Sequence, residues 1–314
     1  MKLLLAALFF ASQVHAQTYP NKPVRWIVPT GPGSAVDVNA RRVTPKLAEA
    51  LGQPVVVENR PGANSMIGAR EAARSAPDGY TLYQAVVNNA INDALAPDAC
   101  CVLNDKLIAV TRLYTTPLVM VVHPGVQATT LREYVALAKA QPNTLTYASG
   151  GTGAITQMVG ELLKLTASIQ VREIPYKAIG AELPDLTGGH VSTAFLSPVV
   201  IREHVRAGKL RALGIADRQR LPTMPDVPTL AEGGLPIEGL GWNGIFVFAG
   251  TPQPIVDRLQ VEIAKVLRSK EVQDDAATLG TVAGGERPQE FAAFVRGEVQ
   301  KWGKVIKDAN IKAE

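Results

Sequence analysis

The feature that most constrains this chain is a rhythm of apolar strands and amphipathic helices that runs through it twice. Val24–Val28 is a short apolar run. Gly31-Pro32-Gly33-Ser34 breaks it, and Val36–Leu51 then carries helical spacing up to Gly52. A glycine just past the last periodic residue is the preferred helix stop, because it accepts the left-handed backbone there. Val55–Glu58 is β-branched and predicts a second strand. Asn59-Arg60-Pro61-Gly62 predicts a turn, followed by a helical segment to about Ser75. Pro77-Asp78-Gly79 turns into a third strand over Tyr80–Val87, and Asn88-Asn89 at its end add amides at the same carboxyl edge, with a plain turn as the alternative. Strands alternating with helices imply parallel pairing through right-handed crossovers.

After an apolar strand at Leu118–Val122 the alternation restarts. Helix Leu131–Ala140, strand Leu145–Ala148, loop Ser149–Gly153 and helix Ala154–Leu165 come first. Strand Ile169–Glu173, helix Ala178–Leu186, strand Val191–Leu196, helix Val199–Ala207 and strand Leu210–Ala216 follow. A Pro-rich stretch (Pro222, Pro225, Pro228) leads to a strand at Ile245–Phe248 and two closing helices, Pro254–Ser269 and Pro288–Lys307. The expected fold is therefore α/β with two doubly wound lobes, the second inserted into the first. Two crossings, near Val119–Pro124 and Gly239–Phe248, join them and leave a cleft at the sheets' switch points. The expected division is 17–120 with 241–314 as one lobe and 121–240 as the other.

Residues 1–16 read as a secretory signal: Lys2, an apolar run from Leu3 to Ala11, then Val14-His15-Ala16. The run is too short to span a bilayer, and Gln17 stands where a lipoprotein would need Cys. The expectation is a soluble, exported chain. Its 32 basic and 28 acidic residues are nearly balanced, with no basic run interleaved with aromatics, so nucleic acid is not an expected partner. Cys100 and Cys101 are adjacent; they read as thiols or as a strained vicinal disulfide closing a surface hairpin.

Two loops carry the functional argument. In Gly31-Pro32-Gly33-Ser34 the glycines admit close approach to the backbone, and Ser34 and Asp37 have capping-box spacing. The remaining helix N–H groups and the helix dipole favour a carboxylate or phosphate. Ser149-Gly150-Gly151-Thr152-Gly153 occupies the equivalent place in the second unit. A dinucleotide site is weighed because Glu58 ends the strand after Gly31-x-Gly33. Val36 at the third glycine position, the N–H missing at Pro32 and export all argue against it. His123, His190 and His204 are scattered, and no nucleophile elbow, zinc motif or calcium loop is present, so neither an enzyme nor a metal or cofactor is expected. Glu182 and Asp185 read as a solvated helix face, and Arg60 and Lys177 as surface charge able to steer anions.

Several motifs resemble one family. They are Tyr19-Pro20-x-Lys22-Pro23, Val28-Pro29-x-x-Pro32-Gly33-x-x-x-Asp37, Leu51–Ala63 with its Glu58-Asn59-Arg60-Pro61-Gly62-Ala63 run, and Ala76–Leu82. Tyr147-Ala148-Ser149, Pro175-Tyr176-Lys177, Ala207–Leu213, Pro225–Thr229 and Gly250-Thr251-Pro252 continue the likeness. Together they resemble the Bug (TctC-type) periplasmic solute-binding proteins of tripartite tricarboxylate transporters. The resemblance implies a monomeric, periplasmic protein of type II periplasmic binding fold that closes on a small organic acid and delivers it to membrane subunits. A second role it leaves open is presentation of the bound acid to a two-component sensor kinase.

Carried over residue by residue, the resemblance assigns ligand contacts to Thr30, Gly31, Gly33, Ser34, Asp37, Asn88, Asn89, Ser149, Gly151, Thr152, Gly153 and Ser197. This chain departs from the family's pattern at several of these. Relatives usually carry Phe where Thr30 stands, Gly for Ser34, and Thr-His for Asn88-Asn89. Where many have Ser-x-x-His in the second loop, this chain has Ala154 and Gln157. Amides in place of imidazoles imply an intact carboxylate anchor and a re-tuned far end suited to a polar, uncharged or aromatic group.

Overall fold

The computed structural model describes residues 19–96, 103, 106–176 and 181–313. The signal-like segment 1–16, Cys100, Cys101 and Lys177 lie outside them. The first unit runs β1 (Val24–Val28), α1 (Ala35–Leu51), β2 (Val55–Asn59), α2 (Met66–Ala72), β3 (Thr81–Val86), α3 (Val87–Leu95) and β4 (Leu107–Pro117). β5 (Val119–Val122) opens the second, followed by α4 (Leu131–Ala140), β6 (Thr146–Ser149), α5 (Ile155–Ala167), β7 (Arg172–Pro175), α6 (Glu182–Thr187), β8 (Thr193–Leu196), α7 (Pro198–Arg206) and β9 (Arg211–Ile215). β10 (Leu240–Phe248), α8 (Gln253–Leu267), α9 (Lys270–Leu279), β11 (Val282–Ala283) and α10 (Pro288–Asp308) return to the first unit.

Among the described residues these strands form two sheets, ordered β11-β4-β10-β3-β1-β2 and β7-β6-β8-β5-β9. The two share one plan. Three parallel strands (β2-β1-β3 and β7-β6-β8) are followed by an antiparallel strand that arrives from the other unit (β10 and β5). The next strand, β4 or β9, pairs antiparallel to that arrival, and in the first sheet β11 follows at the edge beyond β4. The loops after β1 and β3 in one lobe therefore correspond to those after β6 and β8 in the other. All four lie at carboxyl edges of parallel strands, where doubly wound sheets take ligands.

Burial follows position in the sheet. Central β3 (Thr81-Leu-Tyr-Gln-Ala-Val86) is buried throughout, as a strand covered on both faces must be, whereas edge strands β2 and β7 are mostly half-exposed. One apolar core runs through both lobes, from Ile27 and Tyr83 to Phe195 and Leu213, and takes in Phe291, Val295 and Trp302 of α10. Separate cores back the outer face of each sheet. The lobes are joined at a backbone hinge: Leu118 N–H donates to Gly239 O, Gly239 N–H to Ala216 O, and Ala216 N–H to Leu118 O, at 2.8–3.0 Å. Both connections are thus tied to one another, and Gly239 fits because a Cβ there would lie 2.5 Å from Val159.

Several elements depart from the sequence pattern, among them α9 and β11, which it did not foresee. Asn88 and Asn89 lie in the first turn of α3, not in a turn after the strand. The long β4 precedes the expected strand at Leu118 and forms the outgoing crossing. The strand expected over Ile169–Glu173 instead runs Arg172–Pro175.

Beneath the first loop sits a fully buried amide, Gln84. Its Oε1 accepts from Trp26 Nε1 (2.8 Å), and its Nε2 donates to Asn243 Oδ1 (2.9 Å) and to Val36 O at the start of α1 (3.1 Å). A closed polar network of this kind is stable only while every member is satisfied. Gln84→Leu keeps the volume but orphans the Trp26 N–H and the Asn243 carbonyl. We expect it to lower stability by roughly 1–3 kcal/mol per orphaned group, read as a fall in thermal midpoint of several degrees.

Candidate functional site

The loop between β1 and α1 is built around a buried carboxylate. Asp37 is 2% exposed. Its Oδ2 accepts from Gly33 N–H (2.9 Å), its Oδ1 from Asn59 Nδ2 (2.9 Å), and Arg41 Nε reaches both oxygens. Asn59 Nδ2 also donates to Thr30 O (2.9 Å). Asp37 therefore holds Thr30 and Gly33 in place from beneath. Ser34 caps α1 by accepting from Asp37 N–H (3.2 Å), and its Oγ lies 2.7 Å from Thr30 Oγ1. Gly33 has φ +79°, and no heavy atom stands within 4 Å of where a Cβ would sit on Gly31 or Gly33, so the face of the loop is open.

The loop between β6 and α5 is held by its own side chains. Gly150 N–H donates to Thr156 Oγ1 (2.8 Å), Gly151 N–H to Ser149 Oγ (3.0 Å) and Gly153 N–H to Gln157 Oε1 (3.0 Å). α5 starts at Ala154, which has no side chain able to cap. α7 starts at Ser197 and α3 at Val86, again without a side-chain cap. Three helices thus begin at the two carboxyl edges without a side-chain cap, although at α7 Pro198 has no N–H and Val200 N–H bonds to Ser197 O (3.1 Å); the donors left at such starts suit an anion. Asn89 Oδ1 turns back to accept from Val86 N–H (3.0 Å) and Tyr83 Oη (3.1 Å), leaving its buried Nδ2 with no protein partner.

The two edges meet through a residue the sequence pattern did not single out. Asn64 Nδ2 donates across the cleft to Gly153 O (2.9 Å), while Asn64 Oδ1 accepts from Asn88 (2.5 Å) and Asn64 O from Asn92 Nδ2 (2.9 Å). Gly153 has φ +77°, and a Cβ there would lie 3.0 Å from both Asn64 Nδ2 and Asn92 Oδ1, so close contact and backbone both call for glycine. Ala63, Asn64 and Ser65 all have positive φ (45°, 48° and 75°). Three successive left-handed residues without a glycine store on the order of 1 kcal/mol or more each, a form of strain that clusters at ligand clamps. A second bridge, Arg202 to Thr278 O (3.0 Å), joins α7 to the end of α9.

Sequence candidates therefore fall into two groups. Thr30, Gly31, Gly33, Ser34, Asn88, Ser149, Gly151, Thr152, Gly153, Ala154, Gln157 and Ser197 lie on the loops and helix starts at the cleft. Asp37 and Asn89 lie beneath them and support them. Glu58 and Arg60 form a surface ion cluster with Arg25 and Glu71. Asp185 accepts from Tyr176 Oη (2.8 Å). Beyond the second loop, a cavity of about 500 Å³ is lined by Gly150, Gly151, Gln157, Glu173 and Tyr176. Glu173, like Asn64, was not a sequence candidate; its only signal was a charged residue at the end of an expected strand.

Burial pushes the Asp37 carboxyl up, but hydrogen bonds from Arg41, Gly33 and Asn59 outweigh it and hold it below its ordinary value of 3.8. A depressed folded value means that its contribution to stability is complete above 3.8 and is lost as pH falls through the lower folded value. Asp37→Asn is expected to lower the thermal midpoint most at neutral pH. The gap to the unmutated protein should narrow as pH drops below 3.8, checked by thermal unfolding across that range.

Comparison with known proteins places this architecture. The profile of the tripartite tricarboxylate transporter family receptor (TctC) matches residues 39–311. Protein BugT of Bordetella pertussis is 34% identical over 99% of this chain and 96% of its own length. A solved periplasmic transporter superposes with a TM-score of 0.82 at 34% identity, over 94% of this chain and 99% of its own. An R. palustris protein solved with adipate gives 0.82 at 27%, over 94% and 99% of the two chains. MatC of Rhodopseudomonas palustris, solved with bound malate, gives 0.79 at 29%, over 92% and 100%. The fold is that of the two-lobed periplasmic binding proteins, and the chain belongs to the tripartite tricarboxylate transporter receptor (Bug/TctC) family.

Proposed function

We propose that this chain is a periplasmic, non-enzymatic receptor. It captures a small organic acid between its lobes and delivers it to the membrane subunits of a tripartite tricarboxylate transporter. The observation that carries this reading is the meeting of two like-built carboxyl edges at one cleft, with three uncapped helix starts and open glycine faces on both sides. Backbone N–H groups and helix dipoles there offer an anion a binding site without a cationic side chain. The apolar segment at residues 3–11 and the family support export. Adipate and malate in two solved relatives support a carboxylate as the ligand class.

In this reading residues 17–120 and 241–314 form one lobe, and 121–240 the other, turning about the Leu118–Ala216–Gly239 hinge. The first loop (Thr30, Gly31, Gly33, Ser34, with Asp37 beneath) and the second (Ser149, Gly151, Thr152, Gly153, Ala154, Gln157) grip one acid. Asn88, Asn89 and Ser197 complete the site. Closure is a population shift: an acid touching both loops favours the conformer in which Asn64 meets Gly153. No helix among the described residues is long and apolar enough to cross a membrane. The protein acts as a monomer and without a cofactor.

The test is a thermal-shift screen of residues 17–314 against small mono-, di- and tricarboxylates and amino acids, after refolding from denaturant to strip any co-purified ligand. An acid at a hundred times its dissociation constant adds about 2.7 kcal/mol, a rise of several degrees. At least one such rise is expected. No rise with any acid would contradict the proposal.

A further inference from the structure

The cavity beside the second loop contains a negative charge that a simple carboxylate receptor would avoid. Glu173, on edge strand β7, is half-buried there. Its Oε1 accepts from Ser149 Oγ, and its Oε2 accepts from Gln157 Nε2 at 3.2 Å. Both donors are neutral. Among the described residues no basic side chain pairs with Glu173 or lines the cavity, and nearby Lys164 is paired with Glu161 instead.

The position of this charge matters as much as its sign. Ser149 and Gln157 are the same two side chains that accept from Gly151 and Gly153 N–H. Glu173 therefore stands one hydrogen bond from the loop that is to hold the acid. A lone carboxylate drawn out of water gains most from a cationic partner, and it repels a second anion placed beside it.

We propose that Glu173 makes this site select an amino acid: an acid bearing a protonated nitrogen next to its carboxylate, with the ammonium on Glu173 and the carboxylate on the first-turn N–H groups of α5, which no cap side chain claims. This rests on the receptor reading above and narrows its ligand class. Di- and tricarboxylates are disfavoured because their second charge meets Glu173.

Matched probes separate the possibilities. Hexanoate, L-norleucine and adipate share a six-carbon chain and differ only in an added ammonium or second carboxylate; butanoate, L-2-aminobutanoate and succinate form a shorter set. Calorimetric titration of the unmutated protein should show the amino acid binding at least tenfold tighter than both partners in one set, the scale of a charge-assisted hydrogen bond. Glu173→Gln, which retains an acceptor for Ser149, should cut that preference to within about threefold and raise diacid affinity, while Glu173→Asp retains it. A diacid that binds the unmutated protein tightest overturns the inference and leaves the receptor reading standing. A preference unchanged in Glu173→Gln does the same. If neither set nor any other acid binds, the receptor reading fails and the inference with it.

Discussion

Every parallel strand in this protein ends at an edge where a helix begins, and the first N–H groups of that helix must find acceptors. How that demand is met differs from edge to edge, and the difference shapes the molecule. At α1 the protein answers with its own side chains: Ser34 caps, and the buried Asp37 takes Gly33 N–H. At α3, α5 and α7 no cap side chain answers. Unclaimed donors at a sheet edge of each lobe suit an anion, and in the proposed function the two edges close on it.

The same demand explains why Gln84 and Asp37, which support the first loop, are buried and hydrogen-bonded at both side-chain polar atoms. Gln84 links β1, β3, β10 and α1 through one amide, so the first loop rests on a rigid floor. Asp37 fixes that loop from its other side. Across the cleft, Asn64 is held in a left-handed turn between Asn88 and Asn92 with its amide aimed at Gly153. Strain at Ala63–Ser65 and the space left by Gly153 are two halves of one contact, each needed for the lobes to meet so closely.

Much of the architecture was legible in the sequence because its signals are local. β1, the Gly-Pro loop and α1 announce themselves through an apolar run, a capping pair and a C-terminal Gly52. α3 was hidden because Asn88 and Asn89 favour turns, and only packing of the helix against α10 overrides that preference. β4 was hidden because Thr111, Arg112, Thr115 and Thr116 interrupt its apolar pattern; its partners β10 and β11 lie far away in sequence. Asn64 and Glu173 could not be found by spacing at all, since the importance of each depends on a contact with a distant segment.

The central claim is that backbone groups at two sheet edges hold the ligand together. Amide chemical-shift mapping on nitrogen-15-labelled protein tests it directly, titrating the acid that most raises the thermal midpoint. The account predicts that the largest shifts fall on both loops at once, around Thr30–Ser34 and Gly150–Thr156, with Asn64 and the start of α3 following. Shifts confined to one lobe, or centred away from both loops, would contradict it.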